Sequence, residues 1–169
     1  RTIFNILGPL TNPAGAPNQL LGVFHPDLVG ILVRVLQRLG SRHAMVVHGM
    51  NGMDEISVSG ETLVGELVGG ELREYRIHPA DFGLRVGDMA ALKVASREES
   101  VACLWRALGD EEGPVRDVVV FNAGAALYCA GVVPSIAEGV RRAADAVGSG
   151  RAQEKLEQFV AATNRLRVA

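Results

Sequence analysis

A chain of 169 residues, 48% hydrophobic and 21% charged, is long enough for one domain with a substantial core and has a globular composition. Its net charge of −2 and pI of ≈ 6.1 leave no basic surface for nucleic acid, so any anionic ligand must be met by a local arrangement. No apolar run approaches the roughly 18 residues of a membrane helix and no signal peptide is evident; Cys103 and Cys129, in apolar surroundings without metal-ligand spacing, predict reduced, buried thiols in a cytoplasmic protein.

The chain opens at Arg1 without a methionine and runs straight into Thr2-Ile3-Phe4-Asn5, which predicts a part of a longer protein. Residues 5–17 are rich in turn formers. The Gly8-Pro9 and Asn12-Pro13 pairs argue against a continuing helix and for turn or extended geometry. A short strand is expected from Gln19 to Phe24. Pro26 and Asp27 then suit a first helical turn, Leu28, Ile31, Leu32, Val35, Leu36 and Leu39 recur at helical spacing, and Gly40 is a stop. With a strand over Ala44–Val47, this is the order of a βαβ crossover.

That second strand breaks into His48-Gly49-Met50-Asn51 and then Gly52-Met53-Asp54-Glu55. Two neighbouring carboxylates on a glycine-rich turn form a plausible hard-cation site, because Mg²⁺ takes one or two protein carboxylates and completes its shell with water and phosphate oxygens. The plain alternative is a solvated acidic loop.

Beyond the turn, Glu61–Leu67 and Glu71–Ile77 alternate polar and apolar residues around Gly69-Gly70, which predicts an antiparallel hairpin and hence a mixed sheet. The second half reads as helical. Ser96 and Glu99 resemble a capping box before the stripe Val101, Leu104, Trp105 and Leu108. From Asp117 to Gly131 the start is ambiguous, since Val118-Val119-Val120 favours a strand, but the alanines that follow favour a buried helix for most of it. Ser135 caps a helix to about Val147, and a last helix runs from about Ala152 to Leu166.

Four blocks together carry a family likeness: Arg1-Thr2-Ile3-Phe4-Asn5-Ile6-Leu7-Gly8-Pro9-Leu10-Thr11-Asn12-Pro13; Val47-His48-Gly49 with Gly52-Met53-Asp54-Glu55-Ile56-Ser57; Pro79-Ala80-Asp81-Phe82-Gly83-Leu84; and Asn122-Ala123-Gly124-Ala125-Ala126-Leu127-Tyr128. Over nearly its whole length the chain resembles the C-terminal α/β domain of the anthranilate phosphoribosyltransferases. The resemblance implies a single α/β domain over residues 1–169, with a mixed, largely parallel sheet flanked by helices, of the nucleoside phosphorylase/phosphoribosyltransferase C-terminal-domain type. It implies transfer of the 5-phosphoribosyl group from phosphoribosyl pyrophosphate to anthranilate in tryptophan biosynthesis, with Mg²⁺ as cofactor and a homodimer at full length. Asp54 and Glu55 match the family's metal-binding pair. Pro9 stands where the family sets a proline against the aromatic acceptor; a turn proline is the other reading.

The same likeness implies that a glycine-rich phosphate loop, a Lys-His-Gly-Asn stretch and an arginine lie upstream of residue 1, so this piece alone is expected to be inactive. One stretch departs from the family: Lys93–Val101 stands where a Gly-Gly-Asp segment and an asparagine are usual. Two other readings remain, a pyrimidine nucleoside phosphorylase-like enzyme and a non-catalytic shortened domain. No general base is assigned. His48 is expected to be hydrogen-bonded at a strand end, Asn5 and Asn12 to bond their own turns, and Asn122 to be a satisfied buried amide or a cap. Arg1 falls near the substrate region in the likeness, and His25, His43 and His78 are expected at the surface or in turns.

Overall fold

The strand His43–Gly49 is buried along its whole length, and the rest of the molecule is arranged to cover its two faces. The computed structural model describes residues 4–166, and side chains from residue 6 onward. Numbered in chain order, the elements are α1 (Phe4–Leu10), β1 (Asn18–Gly22), α2 (Asp27–Arg38), β2 (His43–Gly49), β3 (Thr62–Val68), β4 (Glu71–Ile77), α3 (Arg97–Leu108), α4 (Pro114–Cys129), α5 (Ile136–Gly148) and α6 (Arg151–Leu166). Two short 3-10 turns, Pro79–Phe82 and Met89–Leu92, lie between β4 and α3.

Side chains alternate across a strand, and β2 uses both directions. Ala44 and Val46 meet Val29, Leu32, Val33 and Leu36 of α2 on one face. Met45 and Val47 meet Phe121 and Ala125 of α4 and, beyond them, Val140 of α5 on the other. α4 and α5 cross very closely: a Cβ placed on Gly139 would lie 2.1 Å from the Gly124 carbonyl oxygen.

The strand order is β1-β2-β3-β4. β1 and β2 run parallel on either side of α2, which gives the expected crossover. The sheet is mixed, as anticipated, but the expected largely parallel character does not hold among the described residues. β2–β3 and β3–β4 are both antiparallel. The cause is the length and kind of the connections: a parallel return needs a crossover element, whereas β3 follows from a helix-free loop and β4 from the Gly69-Gly70 turn.

The helical half follows the sequence closely. Ser96 Oγ accepts from Glu99 N at 3.1 Å, and Ser135 Oγ accepts from Glu138 N at 3.2 Å. The valines 118–120 are helical, because Gly113-Pro114 starts α4 and burial of Val120 outweighs a modest β preference. The expectation of turn or extended structure for residues 5–17 is corrected at its start, where α1 contains Pro9. Proline's φ suits a helix; its penalty is one lost N–H bond and a clash with the carbonyl four residues back, which is tolerable where the helix ends a residue later.

His43 also departs from expectation. It is buried, with Nε2 2.9 Å from Glu66 Oε1 and its ring edge-on to Tyr128 at 4.9 Å. β2 begins earlier than the apolar run suggested, and this places His43 on the inward face beneath α4. His25 is exposed, and His78 accepts from Ala80 N at the start of a 3-10 turn. Asn12 Oδ1 bonds Ala14 N at 3.0 Å, the expected Asx turn. Arg1 and the side chain of Asn5 lie outside the described residues.

Candidate functional site

At the end of β2 the chain leaves the sheet in a loop, residues 50–61, that is closed by its own backbone. Gly49 N donates to Met53 O at 2.9 Å, and Met50 N donates to Glu61 O at 2.9 Å. Asn51 occupies the middle: its Nδ2 donates to Ser57 Oγ at 2.7 Å and also to Ser59 Oγ, while its Oδ1 accepts from Met53 N. Ser57 N in turn donates to Thr62 Oγ1 at 2.9 Å, and both of those residues are fully buried. Ile56 and Val58 point into the core with no exposed surface. The loop is thus fixed on its inner side.

Its outer side carries Asp54 and Glu55, both exposed. Among the described residues neither carboxylate has a hydrogen-bond or ion-pair partner. No group of three or more His, Cys, Asp or Glu among the described residues could hold a metal. A closed four-ligand site of the zinc type is therefore not formed among the described residues, whereas two carboxylates free of partners there suit a hard cation that keeps water and substrate oxygens.

Two neighbouring elements press on this loop. From β1, Gly22 lies so close that a Cβ on it would sit 1.6 Å from the Asp54 carbonyl oxygen. From α4, Asn122 Oδ1 accepts from Ile56 N at 3.0 Å and its Nδ2 donates to Ile56 O at 2.9 Å. The same α4 surface, with α3, walls a hollow of ≈ 280 Å³ that Met53 and Glu55 border together with Leu92, Cys103, Leu104 and Val118.

Pro9 is brought to the same end of the sheet. With Ile6, Leu21, Gly22 and Val23 it lines a hollow of ≈ 20 Å³. That is room for about one water, so an aromatic ring has no berth between Pro9 and β1. His48 points away from the acids: it is buried and its Nδ1 lies 2.7 Å from Val23 O, the strand-end bond expected of it.

A larger hollow of ≈ 630 Å³ lies between residues 83–88 and 110–117. Its Arg116 is already paired with Asp110 and Asp117, which leaves no free cation there for an anionic ligand except exposed Arg85, among the described residues. The acidic loop is the better candidate on chemistry.

A family profile described as "Glycosyl transferase family, a/b domain" matches residues 1–153. The chain belongs to this glycosyl transferase family. Among curated relatives, an anthranilate phosphoribosyltransferase of Methylibium petroleiphilum is 73% identical over all of this chain and 49% of its own length. The crystal structure of anthranilate phosphoribosyltransferase from Thermus thermophilus shares 44% identity, covers 95% of this chain and 47% of that one, and superposes with a TM-score of 0.86. That of the Saccharomyces cerevisiae enzyme in complex with PRPP and Mg shares 25% identity over 98% of this chain and 48% of that one, with a TM-score of 0.85. The chain spans about half the length of the curated relatives it matches. For a member of the glycosyl transferase family, the sequence pointed to Asp54, Glu55 and Pro9 but passed over Gly22, whose backbone lies against Asp54, and Thr62, whose hydroxyl accepts from Ser57 N.

Proposed function

We propose that this chain is the C-terminal part of an anthranilate phosphoribosyltransferase, which moves the 5-phosphoribosyl group from phosphoribosyl pyrophosphate to the amino nitrogen of anthranilate and releases pyrophosphate. The observation that carries the reading is the acidic loop, whose backbone is tied down on its inner side while Asp54 and Glu55 stay exposed and, among the described residues, unpartnered. Likeness over the whole chain to relatives bearing that name supports it, as does the yeast relative's complex with PRPP and Mg.

Asp54 and Glu55 would hold Mg²⁺ through their carboxylates. The ion would neutralise charge growing on the leaving pyrophosphate and orient it. The loop contributes rigidity: its backbone is ordered before any ligand arrives, so little conformational entropy is lost on binding. Pro9 is proposed to offer an apolar edge to the acceptor. A phosphate cradle of backbone amides is not built by the glycines present here. Gly49 and Gly52 close the acidic loop, and Gly69 and Gly70 turn the hairpin at the opposite end of β2.

Half the length of the relatives is thus proposed to supply half the cleft, and the chain alone to lack turnover. In the same reading the full-length protein is a cytoplasmic homodimer. The test is an assay with anthranilate, phosphoribosyl pyrophosphate and Mg²⁺ on two proteins: this chain, and a chimaera in which it replaces the matching half of the Methylibium relative. Turnover by the chimaera and none by the chain is expected. Turnover by the chain alone would refute its incompleteness, and a chimaera that cleaves thymidine with phosphate but ignores anthranilate would refute the substrate assignment.

A further inference from the structure

Asn122 sits in the middle of α4 between apolar neighbours, Val118–Phe121 before it and Ala123–Ala126 after it. A carboxamide in such a place is costly unless its polar atoms are filled. Oδ1 accepts from Ile56 N at 3.0 Å, and Nδ2 donates both to Ile56 O and to Val118 O, each at 2.9 Å. Only the last of these bonds lies within the helix. The other two grip the N–H and the C=O of a single residue in a distant loop, as a neighbouring strand would.

Ile56 follows Glu55 directly, and its side chain is fully buried. Between the two acids, the Asp54 carbonyl lies against Gly22. The backbone of the pair is therefore held between its two residues by β1 and just after them by α4. Their carboxylates make no hydrogen bond or ion pair among the described residues.

We propose that Asn122 is a positioning residue for the acidic pair: by clamping both polar atoms of the Ile56 backbone it fixes the peptide that presents Glu55, and so sets the affinity of the pair for a divalent cation. The inference rests on the metal reading of Asp54 and Glu55 given above. Groups that hydrogen-bond a metal ligand directly typically account for about 10-fold to 100-fold in metal affinity, and Asn122, which acts through the Ile56 backbone, belongs at the lower end of that range.

The test measures turnover of the chimaera as a function of Mg²⁺. Asn122→Ala is expected to raise the Mg²⁺ concentration for half-maximal rate by about tenfold while turnover at saturating Mg²⁺ falls less. A residue that only stabilised the fold would lower the rate at every Mg²⁺ concentration and leave the half-saturation point in place. Val140→Ala, a core truncation on α5, supplies that comparison. Asn122→Ser, whose hydroxyl still reaches the Val118 carbonyl but not Ile56, carries the measurement if the alanine variant does not accumulate. An unmoved half-saturation point in a folded Asn122 variant overturns the proposal, and so does failure of both variants to fold, which would make the residue structural first. Asp54→Asn and Glu55→Gln in the same protein separate the two levels. If they leave the Mg²⁺ response unchanged, the metal reading itself falls; if they shift it and the Asn122 variants do not, only the positioning role falls.

Discussion

The carbonyl oxygen of Asp54 occupies the space that a side chain at Gly22 would need, 1.6 Å from where its Cβ would be. The end of β1 and the acidic loop are therefore in backbone-to-backbone contact. Gly22→Ala must displace the Asp54 peptide, and forced overpacking of this sort costs about 1–3 kcal/mol. Thermal unfolding of the chimaera should show that loss, together with a fall in Mg²⁺-dependent turnover. Gly60→Ala, in the same loop but with nothing within 4 Å of its Cβ, should change neither. Equal behaviour of the two variants would mean that the contact does not constrain the loop.

Asp54→Asn and Glu55→Gln should leave stability almost untouched. Both acids are exposed and lack partners among the described residues, so their replacement falls in the range of about ±0.5 kcal/mol usual for surface changes. Residues kept by the fold and residues kept by function differ in this respect. A large drop in unfolding temperature for either variant would recast the pair as structural.

Much of this architecture could be read along the chain because its signals are local. The helical spacing from Leu28 to Leu39, the Gly69-Gly70 turn and the Ser96 and Ser135 caps each act over a few residues, and each reappears in the fold. Contacts between distant residues were not legible. Asn122 was expected to be satisfied, but its partner is 66 positions away and is a main-chain group, which has no signature in sequence. Gly22 likewise falls unremarked inside the expected strand Gln19 to Phe24 until the loop is seen against it. His43 misleads for a related reason: a polar residue at a strand's end reads as surface unless the buried Glu66 that bonds its ring is known.

Glu66 joins three elements at the end of the sheet away from the acidic loop. Its Oε1 lies 2.9 Å from His43 Nε2 on β2, and its Oε2 accepts from Tyr75 OH on β4 at 3.0 Å, beneath Tyr128 of α4. Removing Glu66 strands the groups of His43 and Tyr75 that bond it, so Glu66→Ala should destabilise by about 1–3 kcal/mol for each group left unsatisfied. Glu66→Gln retains the size and one acceptor and should cost less. Because His43 and Gly49 stand at opposite ends of β2, a folded Glu66→Gln variant of the chimaera should keep its Mg²⁺ half-saturation unchanged. A shift there would reveal coupling along the strand.

The two cysteines should behave differently, as their surroundings dictate. Both are free; Cys103 is half-buried beside the Glu55 hollow, while Cys129 is buried with its thiol donating to Gln19 O at 3.2 Å. Burial is the main cause that pushes the Cys129 thiol from 9.0 up to about 11. The thiolate is the reactive form, so an aromatic disulfide reagent at pH 8 should modify Cys103 in the native chain and reach Cys129 only on denaturation. The sign of the accompanying stability change follows from the raised value. Below about pH 9 both folded and unfolded thiols are protonated and the contribution is intact; between about 9 and 11 only the unfolded thiol ionises, and stability is lost as pH rises. Cys129→Ser should remove that part of the alkaline decline in urea-unfolding midpoints, and rapid native labelling of Cys129 would show the site to be open to solvent.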